Sequence, residues 1–212
     1  MPKYKTPLLN FVADDVWAAS CQAQRKNGSY IKAVLTGLPG VTNRQIINEL
    51  MADTTQITDE DREQGKLVRK HYQALTFKVL KGIKLNDFDN TCMVIANRDT
   101  IDSNYDVAVI ASLPSCYERA VKRNTIDQRI KFATGGFIGR VGQKASLVKL
   151  EVIKSIWSSN YNIHFITGIT PADEVVFFSY KKQLELGENI IVNGTVKAHR
   201  DNSTQLSRVK IT

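Results

Sequence analysis

Aromatic and cationic side chains both occur on the strand-like runs of the C-terminal third of the chain, and that pairing suits a single nucleic-acid strand. Rings offer faces on which bases stack, and Lys and Arg neutralise phosphates. The stacking candidates are Trp157, Tyr161, Phe178 and Tyr180; the phosphate candidates are Lys154, Lys197, Arg200, Arg208 and Lys210. His164 and His199 complete the set, His199 as a donor to a phosphate or a base. The competing reading is ordinary: strand aromatics fill cores, and surface cations form solvated rims.

Other chemistry finds little to work with. The Gly-rich stretch Gly135–Gly142 lacks the Gly-Lys-Ser/Thr of a phosphate loop and leads into a strand rather than a helix. His71, His164 and His199 have no Cys or His at zinc-ligand spacing. The carboxylate pairs Asp87/Asp89 and Asp99/Asp102 are better explained as helix starts and turns than as magnesium ligands of a nuclease. No catalytic residue, metal or cofactor is expected, and the reading is non-enzymatic.

The candidates sit on five strand-like runs: Val148–Trp157, Tyr161–Ile169, Glu174–Tyr180, Asn189–Ala198 and Thr204–Ile211. β-Branched and aromatic residues fill the runs; Gly, Asn, Asp and Pro fill the gaps. Five short strands suit a small closed barrel of the OB type, whose second and third strands bind ligands together with the loops after strands one and four. Those loops are Ser158-Ser159-Asn160 and His199-Arg200-Asp201-Asn202-Ser203. Alternation places Tyr161, Ile163, Phe165 and Thr167 on one face of the second strand, and Asn162, His164 and Ile166 on the other. On the third, Val175 and Phe177 oppose Val176, Phe178 and Tyr180. Both faces of the third strand are apolar. Phe165 and Phe177 are expected in the core, as large apolar side chains prefer.

A resemblance is carried by three motifs: Gly139-Arg140-Val141-Gly142, then Gly-Thr-Val-Lys-x-His over Gly194–His199, then Thr204-x-Leu206-x-Arg208. Over residues 136–212 the chain resembles an OB module of bacteriophage replication proteins and phage single-stranded-DNA-binding proteins. The resemblance implies single-stranded DNA as partner, with replication or recombination proteins besides. Such proteins usually end in an acidic tail that recruits partners. This sequence closes on Val209-Lys210-Ile211-Thr212, so recruitment is expected on another surface.

The residues before the barrel read as mainly helical, giving an α+β chain with a helical domain over 1–133 and the barrel over 134–212. A helix is expected from Asp14 or Asp15 through Trp17 to about Arg25. Thr42 and Gln45 have capping-box spacing, as do Ser115 and Glu118, the latter ahead of a helix over Tyr117–Arg129. A longer helix runs from Thr58 to about Leu80, acidic at its start and basic later. Its apolar stripe is Leu67, His71, Leu75 and Val79, with Val68 and Tyr72 beside it. Asp87–Ala96 is helical, and Asp106–Leu113 is open between strand and helix. Phe132–Gly136 reads as the hinge. Basic stretches at Gln24–Tyr30 and over 66–84 would extend a nucleic-acid path, or be solvated faces.

Net charge is +8 and the pI about 9.4, which favours a polyanionic partner. Three widely spaced cysteines, no leader pattern and no long apolar run point to a reducing, cytoplasmic setting without membrane association, host cytoplasm if viral. Two functions are carried forward: single-stranded-DNA binding in phage-type replication or recombination, and an adaptor docking to a replication or transcription enzyme. RNA is a third partner that no residue here distinguishes from DNA.

Overall fold

The computed structural model describes residues 10–34 and 40–212. Contacts divide the chain into two units, Met1–Val121 and Lys122–Thr212. The division falls inside a helix, ahead of the glycine pair at 135–136.

In the first unit, β1 (Phe11–Val12) leads into α1 (Ala13–Asn27). Ten of the fifteen residues of α1 are buried, so this is a central helix rather than a surface one. Alanine at 13, 18, 19 and 23 leaves room for neighbours. α2 (Asn43–Ala52) begins with the expected capping box: Thr42 accepts from the Gln45 N–H, and the Gln45 side chain accepts from the Thr42 N–H. A 3-10 turn at Thr54–Gln56 precedes α3 (Asp59–Gln73), which Thr58 caps.

The expected single helix to Leu80 is two helices. Ala74 ends α3, and α4 covers only Leu75–Leu80. The apolar stripe is also displaced. Val68, Tyr72 and Leu75 are buried, whereas Leu67 and Val79 are exposed. Two stripes one residue apart compete on this helix. The one that meets Trp17 of α1 is inside, with the Trp17 and Tyr72 rings 6.1 Å apart.

α5 (Asp87–Ala96) has the expected bounds and is capped by Asn86. Strand β2 (Thr100–Ile101) pairs with β1. The open segment resolves as α6 (Asn104–Ile110), capped by Ser103, which accepts from the Asp106 N–H at 3.0 Å. α7 (Leu113–Lys131) starts ahead of Ser115, so Ser115 and Glu118 form no cap. Pro114 stands in its first turn, where a missing N–H costs nothing.

The second unit holds the last turns of α7 and a closed barrel: β3 (Lys144–Ser158), β4 (Ile163–Ile169), β5 (Val175–Tyr180), β6 (Asn189–Arg200) and β7 (Ser203–Ile211). The strand order is β3-β4-β5-β7-β6, closed by β3 on β6. All pairs are antiparallel except β5 with β7. This is the expected α+β chain, helices first and then a five-stranded OB-type barrel. Leu150, Val152, Ile166, Val176, Phe178, Val192, Val196 and Leu206 fill the barrel. Gly168 faces inward, where a Cβ would sit 2.3 Å from Leu150 Cδ1. The end of α7 lies on the outside: Ile130 and Ala133 pack with Ile153, Ile169 and Val175.

Several ion pairs tie α1 to α3, and the one with the most buried carboxylate is Arg25 with Asp61. Arg25 donates to both Asp61 oxygens, at 3.1 and 2.5 Å, and the Asp61 side chain is almost fully buried. Burial pushes the Asp61 carboxyl up. Hydrogen bonds from Arg25 and Thr58, with the Arg25 and Lys26 charges, outweigh that and hold it below the usual carboxylate range. A folded pKa below the unfolded value, about 3.9, stabilises the fold above that pH and is lost as pH falls through the folded pKa. Asp61→Asn should therefore flatten the acid limb of stability, read as thermal unfolding midpoint against pH below about 4. An unchanged acid limb would show that the pair contributes nothing.

Candidate nucleic-acid interface

Register decides which side chains of β4 and β5 are presented. Residues paired across neighbouring strands point the same way. Ile166 pairs with Phe178, and Gly168 with Val176; these point into the barrel. Phe165 pairs with Ser179, Thr167 with Phe177, and Ile156 of β3 with Phe165; these point out.

This reverses two assignments. Phe178 is 1 % exposed and belongs to the core, not to the binding surface. Phe165 and Phe177, expected inside, are part-exposed on the outer face, their rings 5.7 Å apart with planes inclined by 28°. Alternation groups these residues correctly, but the expectation that Phe165 and Phe177 fill the core puts the wrong group inside. The inward Gly168 was the available signal. A glycine on the His164/Ile166 face makes room for a neighbour, which belongs in a crowded interior.

Tyr161 extends the outer row. Its turn precedes β4, and its ring meets Phe165 edge-on at 6.0 Å. Tyr161 is 69 % exposed, and Ile156 beside Phe165 is also exposed. The result is a line of three rings, Tyr161–Phe165–Phe177, across β4 and β5. Beyond it the outer face is covered by Ile130 and Ala133 over Ile169 and Val175.

Trp157, His164 and Tyr180 form a second group on the opposite side of the sheet. Trp157 pairs with His164, and His164 with Tyr180. The Trp157 and His164 rings are 4.9 Å apart. Tyr180 packs on the barrel core, and Trp157 is half-exposed. The three therefore close one end of the barrel and do not continue the row of Tyr161.

The cations separate as well. Lys154 is on the outer face but bonds Asp127 of α7 at 2.5 Å, so its charge is already paired. Arg208 lines a cavity that reaches the aromatic row only through Ser179, the register partner of Phe165. Lys181, Lys182, Ile163, Tyr180 and Val209 line it too, and its volume is 460 Å³. Arg208 has φ 53°, a left-handed conformation at an irregularity in the β6–β7 register. Lys181 and Lys182 were missed by the sequence reading. They follow β5 directly, outside the loops after strands one and four that an OB barrel uses for binding. Arg200 is exposed at the end of β6, in register with Ser203 and so with Val175 on β5. Lys197 is exposed at the β6 irregularity, and Lys210 is exposed opposite Asn193.

The expected loop at 199–203 is mostly strand. Only Asp201 and Asn202 form the turn, and Asn202 donates to the Ile130 and Ala133 carbonyls at 3.0 and 2.9 Å. His199 is in β6, beside Thr204 and 4.5 Å from the Phe137 ring.

Of the basic turn at 24–30, Arg25 is held by Asp61. Among the described residues no three His, Cys, Asp or Glu side chains gather as a metal site. Cys21 and Cys92 are free thiols that burial pushes up to about 12, far from a reactive thiolate. None of the described helices is long and apolar enough to cross a membrane. Comparison of the chain with protein-family models, curated proteins and solved structures finds no match.

The inside and outside assignments make a stability test. Phe178→Ala should cost about 3–5 kcal/mol, as for a buried ring. Phe165→Ala and Phe177→Ala should each cost under about 1.5 kcal/mol, since each ring is only part-buried. Urea unfolding followed by circular dichroism measures all three. Equal losses would put Phe165 and Phe177 in the core.

Proposed function

We propose that this protein is a non-enzymatic single-stranded-DNA-binding protein. Bases stack on Tyr161, Phe165 and Phe177, and phosphates pair with Arg208, Lys181 and Lys182. The observation that supports this best is the line of three rings on the outer face of β4 and β5, with that basic cavity at its Ser179 side. Stacking contributes about 1–3 kcal/mol per base and tolerates any sequence, because every base has a π-face. Exposed Lys197, Arg200 and Lys210 add positive potential to the barrel surface. Phage-type replication or recombination is the setting that the sequence resemblance implies.

Fluorescence anisotropy with a labelled dT strand of about thirty nucleotides tests the reading. The matching duplex and an RNA strand run beside it. Binding should prefer dT over duplex and weaken steeply with salt. Phe165→Ala with Phe177→Ala should raise Kd at least about tenfold. Arg208→Ala should lower the salt slope by about one. No binding at low salt, or binding indifferent to the Phe pair, would refute the proposal. Preference for the RNA strand would change the nucleic acid and keep the site.

A second reading, an adaptor that docks to another replication or transcription protein, draws support from the first unit, where apolar side chains of α4 are exposed.

A further inference from the structure

The segment Phe77-Lys78-Val79-Leu80-Lys81-Gly82-Ile83-Lys84 repeats an apolar and a basic residue every three positions. Its local structure makes that spacing a surface. Phe77 and Leu80 are neighbours on α4 at i,i+3. The helix then ends in a Schellman turn. The Ile83 N–H donates to the Lys78 carbonyl at 3.0 Å, and the Gly82 N–H to the Val79 carbonyl at 2.9 Å. Gly82 has φ 75°, the left-handed position that favours glycine. Such a turn returns its last residue toward the helical turn that carries Phe77.

In a packed helix end these side chains would be covered. Here Phe77, Leu80 and Ile83 are 66 %, 76 % and 52 % exposed, and Val79 is exposed beside them. Contiguous exposure of large apolar groups marks an interaction surface. The inner side of α4 is already satisfied by buried Leu75.

Charge narrows the occupant. Lys78, Lys81 and Lys84 are all exposed, and no Asp or Glu occurs between Glu63 and Asp87. Two upstream cations are engaged, Lys66 with Glu63 and Arg69 with Asp14, while Lys70 is exposed on α3. Downstream, Asp87 and Asp89 stand in the first turn of α5, where the helix dipole holds carboxylates, and Asp89 also accepts from Asn86 at 2.9 Å. The patch is thus apolar with an uncompensated basic edge. Phe77 is the one ring of the patch; Leu80, Val79 and Ile83 have no flat face for a base, so most of the apolar surface suits side chains of a polypeptide better than a nucleic-acid strand.

We infer that α4 and its C-terminal turn dock an acidic, apolar segment of a partner polypeptide. Apolar side chains of the segment cover Phe77, Leu80 and Ile83, and its carboxylates meet Lys78, Lys81 and Lys84. This surface is in the first unit and does not rest on the nucleic-acid reading of the barrel.

The test uses the full chain and a fluorescein-labelled peptide of about sixteen residues in which Glu and Asp alternate with Phe, Leu and Ile. Two control peptides replace the acids by Gln and Asn, or the apolar residues by Ser. The acidic apolar peptide should bind in the micromolar range, and each control at least about tenfold more weakly. Leu80→Asp, at an exposed site that the fold does not need, should weaken binding at least about tenfold, as should Lys78→Gln with Lys81→Gln and Lys84→Gln. Phe165→Ala with Phe177→Ala should leave peptide binding unchanged, and Leu80→Asp should leave dT binding unchanged, so the two proposals fail separately. Absence of peptide binding, equal binding of a control, or indifference to Leu80→Asp would overturn the inference. So would capture of anionic phosphatidylserine vesicles instead of the peptide, displacement of the peptide by dT, or self-association in sedimentation that Leu80→Asp abolishes.

Discussion

Closure of the barrel is the constraint on which the second unit depends. β5 must meet β7 in parallel, and β3 must meet β6, for five strands to have no free edge. Val176 is paired at once with Gly168 on β4 and Thr204 on β7. A slip of one residue in either ladder would exchange Phe178 for Phe177 in the interior. The same pairing that buries Phe178 therefore sets Phe165 and Phe177 on the outside. The candidate interface is a by-product of closure, not a separate device.

What covers the outer face is equally specific. One end is taken by Ile130 and Ala133, tied down by Arg129 to Glu151, Lys154 to Asp127, and Asn202 to two carbonyls at the end of α7. Those bonds use up one cation of the binding set and anchor the β6–β7 turn. The uncovered end holds the aromatic row and the cavity of Arg208, Lys181 and Lys182. Arrangement, not composition, sets which cations of this basic chain are paired and which stay exposed.

The first unit follows a different logic. Its core is built around an alanine-rich helix whose small residues let other helices approach, and most helix starts carry a polar cap. Tertiary choice acts on α3, where two apolar stripes compete and contact with Trp17 selects the one through Val68 and Tyr72. The losing stripe leaves Leu67 and Val79 exposed, and α4 continues that exposure through Phe77 and Leu80.

Local chemistry was legible in the residues alone. Thr42 with Gln45, Thr58 and the acid-rich start of α3 are readable because capping couples a side chain to backbone three residues away. The five strands were readable because turn residues and β-branched runs act over a few positions. Alternation grouped Phe165 with Thr167 and Phe178 with Val176, since the period of two is a property of the strand itself. Which group lies inside was marked only by Gly168 on the His164/Ile166 face of β4. Both faces of β5 are apolar, and the choice depends on pairing with β7, distant in sequence. For the same reason the sequence does not show that Lys154 is paired with Asp127, or that Lys181 and Lys182 line one cavity with Arg208. The sequence by itself determined the elements and their two-faced patterns, because those follow from interactions a few residues long. Only the tertiary structure decided which faces meet, because that choice is made by contacts between segments that no local pattern joins.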